Sequence, residues 1–322
     1  MLRRKKPASM CKFKLIHITS LFCCLNFQFG QVYSQNFKTS QSIEGIEISE
    51  QGKKVLFYQQ RPKSLDGKYE RGGYVHPLYS LNENILTEDF PEDHPYHHGI
   101  FWAWHQVLLN EKSIGDGWVY ENISFKPGKL KVKSKKEYVT ILSEMRWKAN
   151  LEGNHPTDII KEKTMITVYK SAQKYRLIDF DIRISALVDK LKLGGSDDGK
   201  GYGGFCLRLK LPNDILFVSN DSLVTPQETA VAAGPWLDFT GSFDGSSLPK
   251  NGIAVFCDQP ITLHQPWILR KEKSMQNVPY PGRTPLPLSK EGWRLKYRIV
   301  IHNGQLSKDE LADLYHQYIH KS

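Results

Sequence analysis

Histidines are concentrated in one short stretch of this chain. Five of them lie within 30 residues of one another: His76, His94, His97, His98 and His105. Imidazoles beside a carboxylate such as Asp93 are suited to proton transfer near neutral pH. Neutral imidazoles also bind metals, although the H-x-x-H-H spacing matches no zinc signature. Acid–base chemistry or sugar contacts are therefore favoured, with a metal site and a structural role as open alternatives.

The predicted catalytic residues are Asp93, His94 and His97. Pro95 lacks an N–H group and restricts His94, so residues 93–95 are expected to form a loop. A strand is predicted to begin at His97. Because side chains alternate along a strand, one face is expected to carry His97, Gly99, Phe101 and Ala103. The opposite face is expected to carry His98, Ile100, Trp102 and Trp104. Gly99 leaves room for a ligand or a neighbouring backbone.

A second group of candidates lies further along the chain. Arg208 sits inside an apolar strand, where it needs a partner or a ligand. Trp236 and Asp238 share one face if the chain is extended there, and an aromatic ring beside a carboxylate commonly holds a sugar ring. The predicted substrate-binding residues are His76, His98, Arg208, Trp236, Asp238 and Arg270.

The elements that must position these residues are mostly strands. Period-two alternation is clear in Arg176–Ser185 and again in Trp293–His302. One helix is predicted near the end, because Ser307–Glu310 forms a capping box and apolar residues follow at helical spacing. The sequence therefore predicts an all-β fold, a large antiparallel β sandwich of a dozen or more strands with one C-terminal helix packed against a sheet.

The charge distribution gives no electrostatic case for nucleic acid. The chain has 44 basic and 34 acidic residues, but six basic residues and no acidic ones lie in the first 34 positions. The remainder carries 38 basic against 34 acidic residues, which is ordinary for a globular surface. We therefore expect no nucleic-acid partner.

The N-terminus is typical of a secretory signal. A basic start precedes a mostly apolar run from Leu15 to Phe29, so residues 1–34 are predicted to be a signal peptide and the mature protein to be periplasmic or secreted. No later apolar stretch of about 18 residues predicts a membrane span. After cleavage only Cys206 and Cys257 remain, either as a disulfide or as two buried thiols.

The order of the motifs resembles the bacterial PmoA-like family, secreted domains of unknown function. The matching positions are His76, His94, His97, Arg208, Trp236, Asp238 and Arg270. They lie in motifs such as Tyr74-Val-His76-Pro, Asp93-His94-Pro-x-His97 and Gly234-Pro-Trp236-x-Asp238. His98 departs from the pattern, which has Arg there, and residues 261–265 replace its usual Asn/Pro/Arg-rich turn. By fold-level analogy the resemblance implies a sandwich of the galactose-mutarotase type, and the family's methane-oxygenase label does not carry over because spanning helices are lacking.

Together these features predict an exported, cofactor-free protein whose single domain, residues 35–322, acts on carbohydrate. The expected ligand is a small molecule or an oligosaccharide, and the chemistry is of the epimerase, lyase or hydrolase type. One alternative is a sugar-binding module without turnover. Another is a metal-dependent enzyme that uses His76, His94 and His97, although no metal is expected in the favoured interpretation.

Overall fold

A computed structural model describes residues 36–151, 155–220, 222–243, 245, 250–258, 266–273 and 275–320. The predicted signal peptide and its cleavage site lie outside these described residues, as does the segment 261–265. Residues from Gln35 to Ser322 form one compact unit. Among the described residues, no helix has the length and apolar character needed to cross a membrane.

Strands dominate this part of the chain. In order they are β1 (Phe37–Gln41), β2 (Gly45–Glu50), β3 (Lys53–Gln59), β4 (Lys63–Leu65), β5 (Lys68–Arg71), β6 (Tyr74–Leu78), β7 (Ile100–Trp104), β8 (Gln106–Leu109), β9 (Lys112–Gly115), β10 (Ile123–Ser134), β11 (Tyr138–Ala149), β12 (Thr157–Tyr169), β13 (Tyr175–Ala186), β14 (Leu191–Gly194), β15 (Gly203–Leu207), β16 (Leu216–Val218), β17 (Val231–Ala232), β18 (Trp236–Gly241), β19 (Asn251–Cys257), β20 (Pro266–Trp267), β21 (Gln276–Pro279), β22 (Leu286–Pro287) and β23 (Trp293–His302). The helix α1 spans Lys308–Ile319.

Two large antiparallel sheets form the sandwich. The seven-stranded sheet has the order β1-β2-β3-β6-β7-β15-β21, and the eight-stranded sheet has the order β10-β11-β12-β13-β23-β19-β18-β16. Smaller sheets join β22-β14-β8-β9, β17-β20 and β4-β5. Apolar side chains from both large sheets meet in the main core, as alternation with one buried face requires. The predicted all-β sandwich is confirmed.

Strand β7 shows how alternation separates the core from the histidine-rich region. Ile100, Trp102 and Trp104 point into the main core between the sheets. Phe101 and Ala103 point to the opposite face, where they pack in a second cluster with Tyr74, Trp118 and Cys206. The outer face of the seven-stranded sheet therefore carries a cluster of aromatic side chains, and the histidine-rich loop before β7 packs on this cluster.

The C-terminal helix forms where the capping box predicts it. Ser307 Oγ accepts the backbone N–H of Glu310, and the Glu310 carboxylate accepts the backbone N–H of Ser307. Leu311, Leu314 and Tyr318 are buried in a cluster with apolar residues of the eight-stranded sheet. The two cysteines, Cys206 and Cys257, are buried free thiols, which decides between the two alternatives left open by the sequence.

Candidate functional site

Three consecutive side chains organise the histidine-rich region. Thr87 Oγ1 lies 2.9 Å from His76 Nδ1, Glu88 Oε2 accepts from Arg208 Nε at 2.7 Å, and Asp89 Oδ1 lies 2.7 Å from His98 Nδ1. The backbone of this segment pairs on both sides, through isolated bridges from Thr87 to Leu209 and from Asp89 to His98. Residues 87–89 thus connect the end of β15 to the loop before β7, which brings Arg208 to the histidines.

Asp93 links an exposed imidazole to a buried guanidinium. Its Oδ2 accepts from His94 Nδ1 at 2.7 Å, and its Oδ1 accepts from Arg208 Nη2 at 2.6 Å. The side chain of His94 is 34% exposed and that of Arg208 only 4%. Although desolvation opposes ionisation, the hydrogen bonds from His94 and Arg208 hold the pKa of Asp93 below its usual range. Asp93 is therefore a fixed carboxylate that orients His94.

His97 lies beneath His94 and has a different character. The two rings stack with centroids 4.8 Å apart and an angle of 3° between their planes. Arg208 Nη1 approaches His97 Nδ1 at 3.5 Å. Burial, reinforced by the charge of Arg208, lowers the pKa of His97 to about 2. His97 is therefore neutral at physiological pH, and its predicted catalytic role stays a prediction.

The path of the chain before β7 also differs from the prediction. The strand begins at Ile100 rather than His97, since residues 97–99 are outside regular structure except for the bridge at His98. His97 and His98 consequently both lie against Phe101, rather than on opposite faces. Gly99 approaches a neighbouring backbone, because a Cβ there would meet the Val75 carbonyl oxygen at 2.1 Å.

His98 and His76 form the deeper side of the region. His98 is fully buried beside Asp89, which also contacts Lys63 Nζ at 2.8 Å and Tyr74 Oη at 3.2 Å. Burial lowers the pKa of His98 despite the carboxylate, and burial lowers the pKa of His76 to about 4. Both imidazoles are therefore neutral hydrogen-bonding groups near pH 7.

A family model covers this whole region. It matches residues 45–316 and describes a family of unknown function, DUF6807. The chain belongs to the DUF6807 family. No curated protein matches the chain. Because the family description names no activity, the function of this DUF6807 domain has to be argued from the site itself.

Trp236 and Asp238 lie elsewhere in the DUF6807 domain. They belong to β18 of the eight-stranded sheet, and both are 2% exposed. Trp236 packs in the cluster that includes the buried face of α1, and Asp238 Oδ1 lies 3.0 Å from His302 Nε2. They do share one strand face, as predicted, but the expectation that they hold a ligand beside His94 is corrected by this placement.

Arg270 does not contact the imidazoles. Its guanidinium donates to the backbone carbonyls of Gln227, Glu228 and Leu269 at 2.8 Å each, and it lies over the ring of Tyr202. Tyr202 in turn contacts Trp118, whose ring edge meets His97. Arg270 therefore braces the surroundings of the histidine region and makes no direct contact with the residues predicted to be catalytic.

The sequence interpretation missed the partners of the basic side chains. Glu88 and Asp89 stand directly before Phe90, and the sequence interpretation assigned neither of them to the site. Two bulky residues near the cluster, Tyr69 and Phe90, have φ angles of 55° and 50°. Bulky side chains rarely adopt this backbone conformation, and such strain is concentrated at functional sites.

The alternative metal site is not formed by the described residues. No group of three or more His, Cys, Asp or Glu side chains among them is arranged to hold a metal ion. Instead His76, His94 and His97 each contact a different group, namely Thr87, Asp93 and Arg208. The arrangement can hold one exposed imidazole in a fixed tautomer beside neutral hydrogen-bonding rings.

Proposed function

We propose that this protein is an enzyme that moves a proton on a hydroxylated substrate of the carbohydrate class, with His94 as the acid–base group. One observation carries the proposal: the Asp93 carboxylate bonds both to the Nδ1 of exposed His94 and to the buried guanidinium of Arg208. A carboxylate that orients an accessible imidazole is the arrangement that proton transfer near neutral pH requires.

The proton is assigned by the hydrogen bonds. Because Asp93 is ionised and can only accept, Nδ1 of His94 carries a hydrogen and Nε2 is the basic nitrogen. When Nε2 takes a proton from substrate, Asp93 stabilises the resulting imidazolium. Arg208 keeps Asp93 ionised throughout the cycle, since its guanidinium does not lose its proton.

Neighbouring groups supply the substrate contacts. Nδ1 of His97 accepts a hydrogen bond from Arg208, so the ring hydrogen of His97 is on Nε2. The neutral ring can use that N–H group to donate a hydrogen bond to substrate. The side chain of Glu88 is 32% exposed and that of Lys63 is 50% exposed, and their charged groups offer an acceptor and a donor for hydroxyl groups. The half-buried rings of Phe90 and Tyr96 offer apolar faces of the kind on which sugar rings stack.

A carbohydrate-binding module without turnover is the second candidate. The half-buried rings of Tyr69, Phe90 and Tyr96 favour it, because aromatic faces beside polar groups are sufficient for binding. In that case His94 would contribute a hydrogen bond and no proton transfer.

Turnover measurements separate the two candidates. Wild-type protein and two matched variants, His94→Gln and His302→Gln, are incubated with a library of oligosaccharides and monosaccharides. His302 also pairs with an aspartate, but both side chains of that pair are buried. We expect His94→Gln to reduce kcat by about 10²–10⁴-fold and His302→Gln to retain turnover per folded molecule. Binding without turnover in the wild type supports the module, and full activity in His94→Gln refutes the acid–base role.

We also propose that the protein acts outside the cytoplasm. This proposal is supported by the basic residues and the apolar run at the start of the chain. N-terminal sequencing of protein from the periplasm or medium tests this. The expected N-terminus lies within a few residues of Gln35. Recovery of an intact Met1 or Met10 in the cytoplasm contradicts export.

A further inference from the structure

A surface cavity lies beside the β8–β9 hairpin and the adjoining ends of β11 and β12. Its volume is about 990 Å³, within the range of small-molecule sites. The polar side chains on its walls include His105, Lys112, Asp116, Glu121, Asn150 and Thr157. None of the residues assigned to the histidine site above lines this cavity, so it is a separate feature of the surface.

The cavity contains its own imidazole–carboxylate pair. His105 Nδ1 lies 2.8 Å from Asp116 Oδ2, and the two side chains are 24% and 23% exposed. Asp116 Oδ1 accepts the backbone N–H groups of Trp118 and Val119 at 2.7 and 3.1 Å. The carboxylate is therefore held in place, and it leaves Nε2 of His105 without a protein partner among the described residues.

Trp118 fixes the plane of the His105 ring. The two rings stack with centroids 5.0 Å apart and an interplanar angle of 16°. Trp118 is itself 3% exposed, and its other contacts include an edge-on approach to His97 at 5.8 Å. An imidazole locked by a carboxylate on one side and by an indole on its face has lost its rotational freedom before any ligand arrives.

We propose that this cavity is a second carbohydrate-binding site, distinct from the site at His94. Carbohydrate hydroxyls both donate and accept hydrogen bonds, and the cavity offers both partners. His105 Nε2 and the exposed Glu121 carboxylate are acceptors, and Lys112 is a donor. The proposal does not rest on catalysis at His94, because occupancy of the cavity is measured by binding alone.

The test uses one substitution at both dyads. His105→Phe keeps an aromatic ring on Trp118 but removes both nitrogens. His94→Phe does the same to the ring that stacks on His97. A glycan array of plant and bacterial oligosaccharides identifies the strongest binder of the wild-type protein, and calorimetry with that glycan then gives Kd for each variant. We expect His105→Phe to weaken binding by about tenfold, the value of one lost hydrogen bond, and the control variant His316→Phe, at an exposed position of α1 outside both sites, to bind like the wild type.

Three results would overturn the proposal. They are the absence of any glycan bound by the wild type, unchanged affinity in His105→Phe, and a loss confined to His94→Phe, which would place the glycan at the other dyad. Thermal unfolding first establishes that each variant is folded. If His105→Phe does not fold, Glu121→Gln is the second variant, because Glu121 is exposed and lines the cavity. Wild-type affinity in Glu121→Gln would then count against the proposal.

Discussion

Two of the aspartate–histidine pairs described above occupy different layers of the molecule. Asp93 and His94 meet at 2.7 Å above the seven-stranded sheet, whereas Asp238 and His302 meet at 3.0 Å on the eight-stranded sheet, which helix α1 covers. The first pair is 24% and 34% exposed, and the second is 2% and 0% exposed. The sequence alone gave candidates at both places.

The hydrogen bonds explain why only one of these two pairs suits proton transfer. His302 uses both ring nitrogens, since Nε2 contacts Asp238 and Nδ1 lies 2.7 Å from the carbonyl oxygen of Gly304. Within the part of the chain that the structure describes, His94 forms a hydrogen bond only through Nδ1. Burial opposes the charged form of His302, but Asp238 outweighs it and raises its pKa. An aspartate beside a histidine therefore does not make a site; a free nitrogen and access to solvent are also needed.

The largest expected difference between the pairs is in stability. His302→Ala leaves the buried Asp238 carboxylate without its partner, which costs about 3–5 kcal/mol. His94→Ala removes an exposed pair and leaves Asp93 bonded to Arg208, so it costs about 0–1 kcal/mol. Urea unfolding of both variants measures the two values. Equal losses would show that the two pairs are equivalent.

Acidification should destabilise the region around His97. The folded pKa of His97 is lowered to about 2, so the unfolded chain binds a proton below about pH 6.5 while the folded chain does not. The free energy of unfolding therefore falls as pH decreases from 6.5 to 5, by about 1.4 kcal/mol per pH unit for this proton. His97→Gln should reduce the measured slope by that amount. An unchanged slope would mean that His97 protonates in the folded protein.

The smallest effect concerns the loss of the proton of His302 as pH rises above the pKa of an unfolded histidine. Because its folded pKa is raised, its stabilising pair is fully present below the unfolded pKa and is lost as pH rises through the folded value. The melting temperature of the wild type should fall over that interval. His302→Gln should lack this component of the slope, and the same slope in both proteins would argue against a charged His302.

The fold was predictable from the sequence because its signals are local. Alternation in β13 puts Ile178, Phe180, Ile182 and Ile184 on the buried face, and the capping box at Ser307 fixes the start of α1. Trp236 and Asp238 were misplaced because nothing local tells which sheet a strand will join. Their strand, β18, pairs in the eight-stranded sheet, and the histidines lie over the other one.

The sequence predicted only those site residues that are close to one another along the chain. Asp93, His94 and His97 come together through one short loop. The apolar strand around Arg208 indicated that this residue needs a partner. The sequence did not show that Glu88 is such a partner, because their contact depends on a bridge formed by residues 87–89. His98 was assigned to the wrong face because the backbone before Ile100 leaves the extended strand.

Chemical modification tests the central claim most directly. Diethyl pyrocarbonate reacts with accessible, unprotonated imidazole nitrogens, and peptide mass spectrometry follows each histidine separately. With the substrate found in the sugar library, we predict that turnover is lost at the rate at which His94 is modified, while His302 stays unmodified in the folded protein. Full turnover after complete modification of His94, or loss of turnover while His94 is intact, would contradict the acid–base role.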